Sequence, residues 1–592
     1  MPAFGIGELG DIARTTLRRF MSTTAQRLRL LEQLRLSDTQ RALVWAGLVG
    51  LLGALVSVGF RQLAQLAQEL FWGVPGDPAR FADELHWARK LLVPAAGGLA
   101  AGLVIRFGAR LAKGQPSADF MEAVALGDGT IRVRPSLVKS SASLLSVASG
   151  GSIGREGAMA QLASMLASWV GRRRNLPKPR LQLLVACGAA AGVASAYNAP
   201  IAGALFVAEI VLGTIAMESL GPLVFASVVS TVATRELLGQ APLFETPAFE
   251  LVSPLELGPY LLLGAMLGAA APLFVRTLRA ADTHAARWIP SVPLRLCAGG
   301  LIVGLLSLVR PEVWGNGNRQ IGAILAGDGA AELVATVLLF KFAATVACVG
   351  SGAVGGVFTP TLFLGASFGA LFGSIVQRLG ASWTASPSAY ALVGMGAFLA
   401  GATHAPLTAI LMLFEMTLDY GIVLPLMLAS VTAYYTARAI DSRSLYSAKL
   451  GERDAEGARS NDETIRTLLR PNPVTVSPNA SFEELVAKFG AHRHNYLYVV
   501  DEQQHLLGAV GLHDIKPLLA RPELAHLVLA SELMHTDFPC LPADAPLGVA
   551  LERLLAHDGE RLPVVESESS RVLVGALAKR DVLLTLSLRR SA

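Results

Sequence analysis

Cysteine and charge are both scarce in this chain of 592 residues, and each scarcity removes a class of function. The four cysteines, Cys187, Cys297, Cys348 and Cys540, show no CxxC spacing, so neither a zinc site nor a disulfide framework is expected from them. They are expected as small buried residues. None of the ten histidines falls in HExxH or a similar zinc-ligand spacing, which argues against a membrane metalloprotease and leaves no metal site to expect. Asp, Glu, Lys and Arg make up only 16% of residues, unlike a soluble protein of this length. The net charge of +5 comes partly from loop arginines, so no nucleic-acid partner is implied. The chain is expected not to be an enzyme.

What is present is apolar: 52% of residues are hydrophobic and the mean hydropathy is +0.49, as in a multi-pass membrane protein. Ala42 to Phe60 is a charge-free run of 19 residues, close to the ~20 helical residues that cross a bilayer core. Phe342 to Gln377 and Leu379 to Phe414 each run 36 residues without a charge. Both are too long for one simple span, and their glycines and Pro360 or Pro406 point to interrupted helices, which commonly mark a site. The first 41 residues carry seven arginines against four acids and no apolar signal core, so they are expected to stay cytoplasmic.

The membrane part repeats. "CGAAAGVASAYNAPIAGALFVAE" and "VGMGAFLAGATHAPLTAILMLFE" superpose at a shift of 206, matching Gly188 with Gly394, Pro200 with Pro406 and Glu209 with Glu415. Upstream, Lys139, Ser149 and Gly154 match Lys341, Ser351 and Gly356 at a shift of 202. Close helix packing explains recurring small residues. It explains two Ala-Pro pairs, each followed by Glu at one distance, less well. Internal symmetry in a membrane protein places a site where discontinuous helices of the two repeats meet.

Two stretches supply such helices. In "SGGSIGREGAMAQ", Gly150, Gly151 and Gly154 free the backbone before an apolar helix that is expected to begin near Glu156. In "GSGAVGGVFTPTLFLG", glycines precede Val357, Phe358 and Thr359, with Pro360 in the first turn. The first N–H groups of a helix lack internal partners and carry about half a positive charge, so they attract anions. Backbone dipoles hold a monovalent anion without the grip of a full cationic charge, which suits rapid passage. This also argues against a cation or magnesium transporter, which would gather acids or carbonyls inside the membrane. Glu156 can occupy the anion site itself and leave it when protonated. The plainer role is a carboxylate complementing the helix dipole, alone or paired with Arg155; inside a membrane segment the functional role carries more weight.

These motifs resemble the CLC family of chloride channels and proton-coupled chloride transporters over nearly all of residues 40 to 450. "GREGA" is similar to the family's GREGP, with Ala158 in place of proline; "GGVFTP" is similar to its GxFxP, and "YNAPIAGALFVAE" to its NAPLAGxLFxxE. "SRSLYSAKL" is similar to the segment that carries the inner-gate tyrosine, and "DFMEAVAL", "GREGAM" and "VWGNGN" look most like the bacterial ClcB type. The resemblance implies an all-α multi-pass fold of inverted repeats, a homodimer in the bacterial inner membrane with one pore per subunit, and chloride or similar monovalent anions as cargo. It places the gate at Glu156, a central anion site at the Tyr446 hydroxyl with the N–H groups of Val357 and Phe358, and an external site at the N–H groups from Arg155 to Gly157. An interfacial anchor is the other role open to Tyr446.

Two departures qualify the resemblance. The family's chloride-contacting GSGIP stretch falls on "KGQPSADFMEA", with Gln115 at the serine and Ala118 at the proline, or Ser117 at the serine if the register shifts. Exchangers of the family commonly carry an inner glutamate immediately after the position of Glu209, and here that residue is Ile210. Passive, channel-like conduction is therefore expected, or exchange by another proton route such as water or Glu209. Glu209 and Glu415 can instead tie helices together, a role that suits Glu415 better.

Beyond about Ala439 the composition turns polar, and a second repeat follows. "NYLYVVDEQQHLLGAVGLHDI" and "ERLPVVESESSRVLVGALAKRDV" each give strand, turn, strand and an Asp opening a helix, with Gly508 and Gly575 six positions before Asp514 and Asp581. They resemble a tandem pair of α/β CBS domains. That resemblance implies a cytoplasmic module with an adenine nucleotide as candidate ligand and Asp514 and Asp581 as ribose contacts; no cofactor is required for transport. Helix capping is the commoner role for such an Asp, and a dimer-forming scaffold that senses nothing is a further alternative. The expected organisation is an N-terminal segment over 1–41, a membrane domain over 42–449, a linker over 450–464 and the CBS pair over 465–592, its units at about 465–520 and 530–588.

Overall fold

The computed structural model describes residues 38–446 and 465–582 apart from short internal segments, the longest being 112–118 and 520–527. The chain divides into two compact units, Met1–Tyr446 and Ser447–Ala592.

Among the described residues, the first unit is two successive runs of eight α-helices. The first comprises α1 (Asp38–Trp72), α2 (Trp87–Leu111), α3 (Phe120–Ala125), α4 (Val133–Ala148), α5 (Glu156–Arg173), α6 (Lys178–Tyr197), α7 (Pro200–Phe206) and α8 (Met217–Leu238). The second repeats the series as α9 (Leu257–Trp288), α10 (Val292–Val309), α11 (Asn318–Leu325), α12 (Ala331–Gly350), α13 (Phe358–Gly380), α14 (Pro387–Thr403), α15 (Pro406–Thr417) and α16 (Val423–Ile440). Among the described residues nine helices are long and apolar enough to cross a bilayer, the multi-pass pattern the composition implies.

Both 36-residue uncharged runs are interrupted as expected. The first breaks between Gly350 and Phe358. The second breaks at His404, which sits in the left-handed region (φ 58°) and turns the chain into Ala405–Pro406; Asn198 (φ 59°) does the same before Ala199–Pro200. Each proline then lies at the start of its helix, where no backbone donor is lost. The recurring Ala-Pro pair is thus a helix restart.

Equivalent residues exchange contacts across a pseudo-two-fold axis. A Cβ on Gly98 would stand 2.3 Å from the Leu296 carbonyl oxygen, and one on Gly300 would stand 2.1 Å from that of Pro94. Only glycine lets α2 and α10 approach so closely, which is the packing reason for small residues in membrane helices. Glu415 accepts hydrogen bonds from the N–H groups of Ile201 (3.0 Å) and Ala202 (2.8 Å) at the start of α7. Glu209 does the same for Leu407 (3.3 Å) and Thr408 (2.8 Å) at the start of α15. Each glutamate caps the other repeat's helix, filling donors that helical geometry leaves open. The tying role that suited Glu415 better on sequence belongs equally to Glu209.

In the second unit, β1 (Thr475–Val476), β2 (Tyr496–Val500) and β3 (Leu506–Gly511) form one sheet, and β4 (Leu541–Pro542), β5 (Arg561–Val565) and β6 (Leu573–Ala578) form another. In both, the first pair is parallel and the second antiparallel. Helix α17 (Phe482–Ala491) serves the first sheet and α18 (Leu512–Leu519) follows β3, while α19 (Leu547–Ala556) serves the second. The sheets join through Leu506 N–H to Arg571 O (2.8 Å) and Leu573 N–H to Gln504 O (2.9 Å). Gln504 (φ 65°) and Arg571 (φ 48°) occupy matching left-handed turn positions.

Candidate anion site and gate

The two glycine-started helices meet where the repeats touch. Gly154 N–H donates to Gly356 O (2.7 Å) and Gly356 N–H to Gly154 O (2.8 Å), an antiparallel bridge between equivalent residues. Chains that pair antiparallel leave in opposite directions, so α5 and α13 begin beside one point and diverge from it, as inverted repeats do. Their first N–H groups gather there. Each helix start contributes on the order of 1 kcal/mol toward an anion, enough to collect one and too little to trap it.

Glu156, the first residue of α5, is buried at 6% exposure. Its carboxylate turns across to the second repeat, where Thr359 Oγ1 donates a short hydrogen bond to Oε1. The Thr359 hydrogen is thereby committed, so Tyr197 Oη donates to Thr359 Oγ1 at 3.1 Å. Glu156 Oε2 makes no hydrogen bond among the described residues. A buried carboxylate oxygen without a partner is costly, so departure of this side chain relieves a cost that an ordinary helix-capping glutamate does not carry. Among the described residues no hydrogen bond joins Glu156 to Arg155, but the two charges are near enough to interact electrostatically.

The carboxylate fills the space left by two missing side chains. A Cβ on Gly154 would lie 1.9 Å from Oε2, and one on Gly356 would lie 2.5 Å from it. An aromatic group adjoins the same region: the Tyr197 and Phe358 rings are 4.9 Å apart, Phe358 meets Phe206 at 6.2 Å, and Phe206 meets Tyr446 edge-on at 5.7 Å. Glu156 is near enough to interact electrostatically with both tyrosines. Val357 and Phe358 are buried at the start of α13, whereas Arg155 and Gly157 are partly exposed. The structure therefore brings Glu156, Phe358, Val357 and Tyr446 to one region. Gln115, Ser117 and Ala118 lie outside the described residues.

Tyr446 is held by the segment before it. Leu445 N–H donates to Ala402 O (2.9 Å) and Arg279 to Ser444 O (3.3 Å). Arg276 donates to Asp441 Oδ2 (2.9 Å) and to Ile440 O (2.9 Å). Burial alone would raise the Asp441 pKa, but the hydrogen bonds from Arg276 and Arg443 prevail and hold it down at about 2. This anchor is intact at neutral pH and is lost only as pH falls from the ordinary carboxylate range, roughly 4, toward about 2.

Sequence reasoning missed Tyr197 and Thr359 as partners of Glu156. Both lay inside quoted motifs, one before the NAP turn and one between Phe358 and Pro360. The contacts span 162 and 203 positions, which no local pattern encodes. Ile210 follows Glu209 in a π-helical turn, Val207–Leu212, and packs against the core; the equivalent segment in α15 is regular α-helix.

In the second unit, the expected Asp positions are both engaged. Asp514 is not the N-cap residue but lies one turn in, its Oδ2 reaching back to Gly511 N–H at 2.8 Å. His535 Nε2 lies 3.1 Å from both of its oxygens, and His513 Nε2 lies 3.3 Å from Oδ1. Asp581 instead receives two hydrogen bonds from Arg470, at 2.6 and 2.9 Å. The histidine group was not anticipated, because its members come from two separate segments.

A meeting of helix starts that attracts an anion, with a buried glutamate beside it in inverted membrane repeats, is the arrangement of an anion-transport protein. Residues 97–438 match the voltage-gated chloride channel family, and residues 465–521 and 530–587 match the CBS domain. The chain belongs to the CLC family of chloride-transport proteins and carries a C-terminal CBS pair. It is 48% identical over 426 residues to a putative ClcB-like chloride channel protein of Ralstonia nicotianae, covering 71% of this chain and 97% of that one. It is 41% identical over 416 residues to the voltage-gated ClC-type chloride channel ClcB of Citrobacter koseri, covering 69% and 98%. Among solved structures, a slow cyanobacterial Cl⁻/H⁺ antiporter is similar with a TM-score of 0.63 at 25% identity, covering 71% of this chain and 98% of the other. A eukaryotic CLC transporter shares the fold at a TM-score of 0.60 and 20% identity, covering 91% and 98%.

Proposed function

We propose that this protein is a passive chloride conduit of a bacterial inner membrane, a homodimer with the Glu156 side chain as the gate of each pore. The observation that carries this reading is the Glu156 carboxylate itself, buried between the two helix starts with one oxygen unpartnered among the described residues. The carboxylate sits in the space beside Gly154 and Gly356 that an anion at the helix starts would need, so it blocks the path while it is charged and seated there. Protonation removes its attraction to the helix dipoles and opens the path. Arg155 to Gly157 provide the outer N–H groups, and Val357, Phe358 and the Tyr446 hydroxyl the central ones; Gln115 is the candidate donor that replaces the family serine.

Passive conduction rests on Ile210, which has no group to relay a proton, and on Glu209, whose carboxylate is occupied in capping α15. A second reading is proton-coupled exchange. The hydroxyl line from Glu156 through Thr359 to Tyr197 favours it, as does the likeness to a Cl⁻/H⁺ antiporter. The N-terminal segment and CBS pair are assigned to the cytoplasm, where an adenine nucleotide would have to compete for Asp514 and Asp581 with the protein's own partners.

The gate is tested by chloride flux across reconstituted liposomes over a range of pH. Wild-type flux is expected to rise as pH falls. Glu156→Gln, which keeps the shape and removes the charge, should give high flux with a flat pH profile. A Glu156→Gln profile that still follows the wild-type curve would remove Glu156 from the gate.

A further inference from the structure

The CBS pair contains its own internal control for a metal site. The two repeats are equivalent around their acidic residue: Ala509 bridges to His535 in the first, and Ala576 bridges to Arg470 in the second. Thus His535 and Arg470 occupy the same place beside Asp514 and Asp581, respectively. In the second repeat, Arg470 closes a two-bond salt bridge on Asp581, a purely internal use of the carboxylate. In the first repeat that arginine is replaced by an imidazole, and a second imidazole, His513, stands beside the same carboxylate. Arginine cannot bind a cation. Two imidazoles and a carboxylate can.

The spacing fits. Tetrahedral zinc with ligands at about 2.0–2.1 Å places neighbouring ligand atoms about 3.3 Å apart. His535 Nε2 and His513 Nε2 stand 3.1 and 3.3 Å from Asp514 oxygens, and the ligand atoms of all three residues lie within 4.8 Å of one another. The two exposed imidazole rings lie 22° from parallel with centroids 6.3 Å apart, so rotation of either can bring their nitrogens closer. Asp514 is fixed from behind by Gly511 N–H, the kind of outer contact that orients a ligating carboxylate. Both histidine side chains are more than half exposed, so a metal could enter from solvent and keep a fourth position for water.

We propose that His513, Asp514 and His535 form a binding site for one divalent transition-metal ion of the zinc class in the first CBS repeat. The site is independent of the pore, so it stands or falls apart from the conduction mechanism.

The test uses the full-length protein in detergent, stripped with a chelator and titrated with Co²⁺ as an absorbing probe and then Zn²⁺ as competitor. One Co²⁺ per chain is expected, with the visible absorption bands of four-coordinate cobalt and displacement by Zn²⁺. His513→Ala and His535→Gln should each weaken binding by at least about tenfold, while His505→Ala, a histidine of the same repeat paired with Asp501, should leave it unchanged. Thermal unfolding of the metal-free variants checks that they are folded, and Zn²⁺ should raise the midpoint of wild type and not of His535→Gln. Absence of saturable one-to-one binding would overturn the proposal, as would equal binding in the folded His513 and His535 variants.

Discussion

Glu156 and Phe358 occupy equivalent places, each the first residue of a helix that starts at the Gly154–Gly356 bridge. One repeat puts an ionisable group there and the other an aromatic ring. Elsewhere the repeats trade like for like: Glu209 and Glu415 cap each other's helices, Asn198 and His404 make the same left-handed turn, and Gly98 and Gly300 permit the same close approach. The scaffold is therefore built from what the repeats share, and the proposed gate lies where they differ. Ile210 and its π-helical turn are a second such difference.

The sharpest way to break this comparison is to expel the gate without touching it. Gly356→Ala would place a methyl group 2.5 Å from Glu156 Oε2, while its next neighbour lies at 3.6 Å. The carboxylate is the flexible partner and should yield. Flux at neutral pH is expected to rise several-fold toward that of Glu156→Ala, and the two substitutions combined should add nothing further, a non-additivity expected of residues acting on one space. Independent effects of the two would separate Gly356 from the gate.

Shared features should respond alike. Glu209→Ala and Glu415→Ala each remove an acceptor from two helix-start N–H groups, and each should cost about 1–3 kcal/mol of stability, read as lowered thermal midpoints in detergent. A loss confined to Glu415 would show that Glu209 has been spared for another task. The smallest effect belongs to the Tyr446 anchor. Arg276 is half exposed at 52%, so Arg276→Ala should weaken anion affinity by no more than about fivefold, the equivalent of up to about 1 kcal/mol, measured by calorimetry. An effect as large as that of Tyr446→Phe would give Arg276 a direct role in the pore.

Much of this was legible in the chain itself. The shifts of 202 and 206 that align the repeats also predict which residues exchange contacts, and the α5 start at Glu156 follows from three glycines before an apolar run. What was not legible is how side chains reach across the axis. Nothing local joins Thr359 to Glu156, or His535 to Asp514, because those partners meet only after separate segments have packed. Glu209 and Glu415 looked different because of the isoleucine beside one of them, yet the two-fold axis gives each a pair of helix-start N–H donors, with Thr408 Oγ1 adding a further bond to Glu209. The expected loop around Gln115 lies outside the described residues.

The central claim is that gating by Glu156 proceeds without a coupled proton path, and one measurement tests it most directly. Liposomes containing the purified protein and an outward chloride gradient would be followed for chloride efflux and external pH together, with and without a proton uncoupler. The account predicts chloride efflux, charge-balanced by an added potassium ionophore, with no proton uptake against its gradient. Proton movement in fixed proportion to chloride, abolished by the uncoupler, would contradict it and move the Glu156–Thr359–Tyr197 line from gate support to proton route.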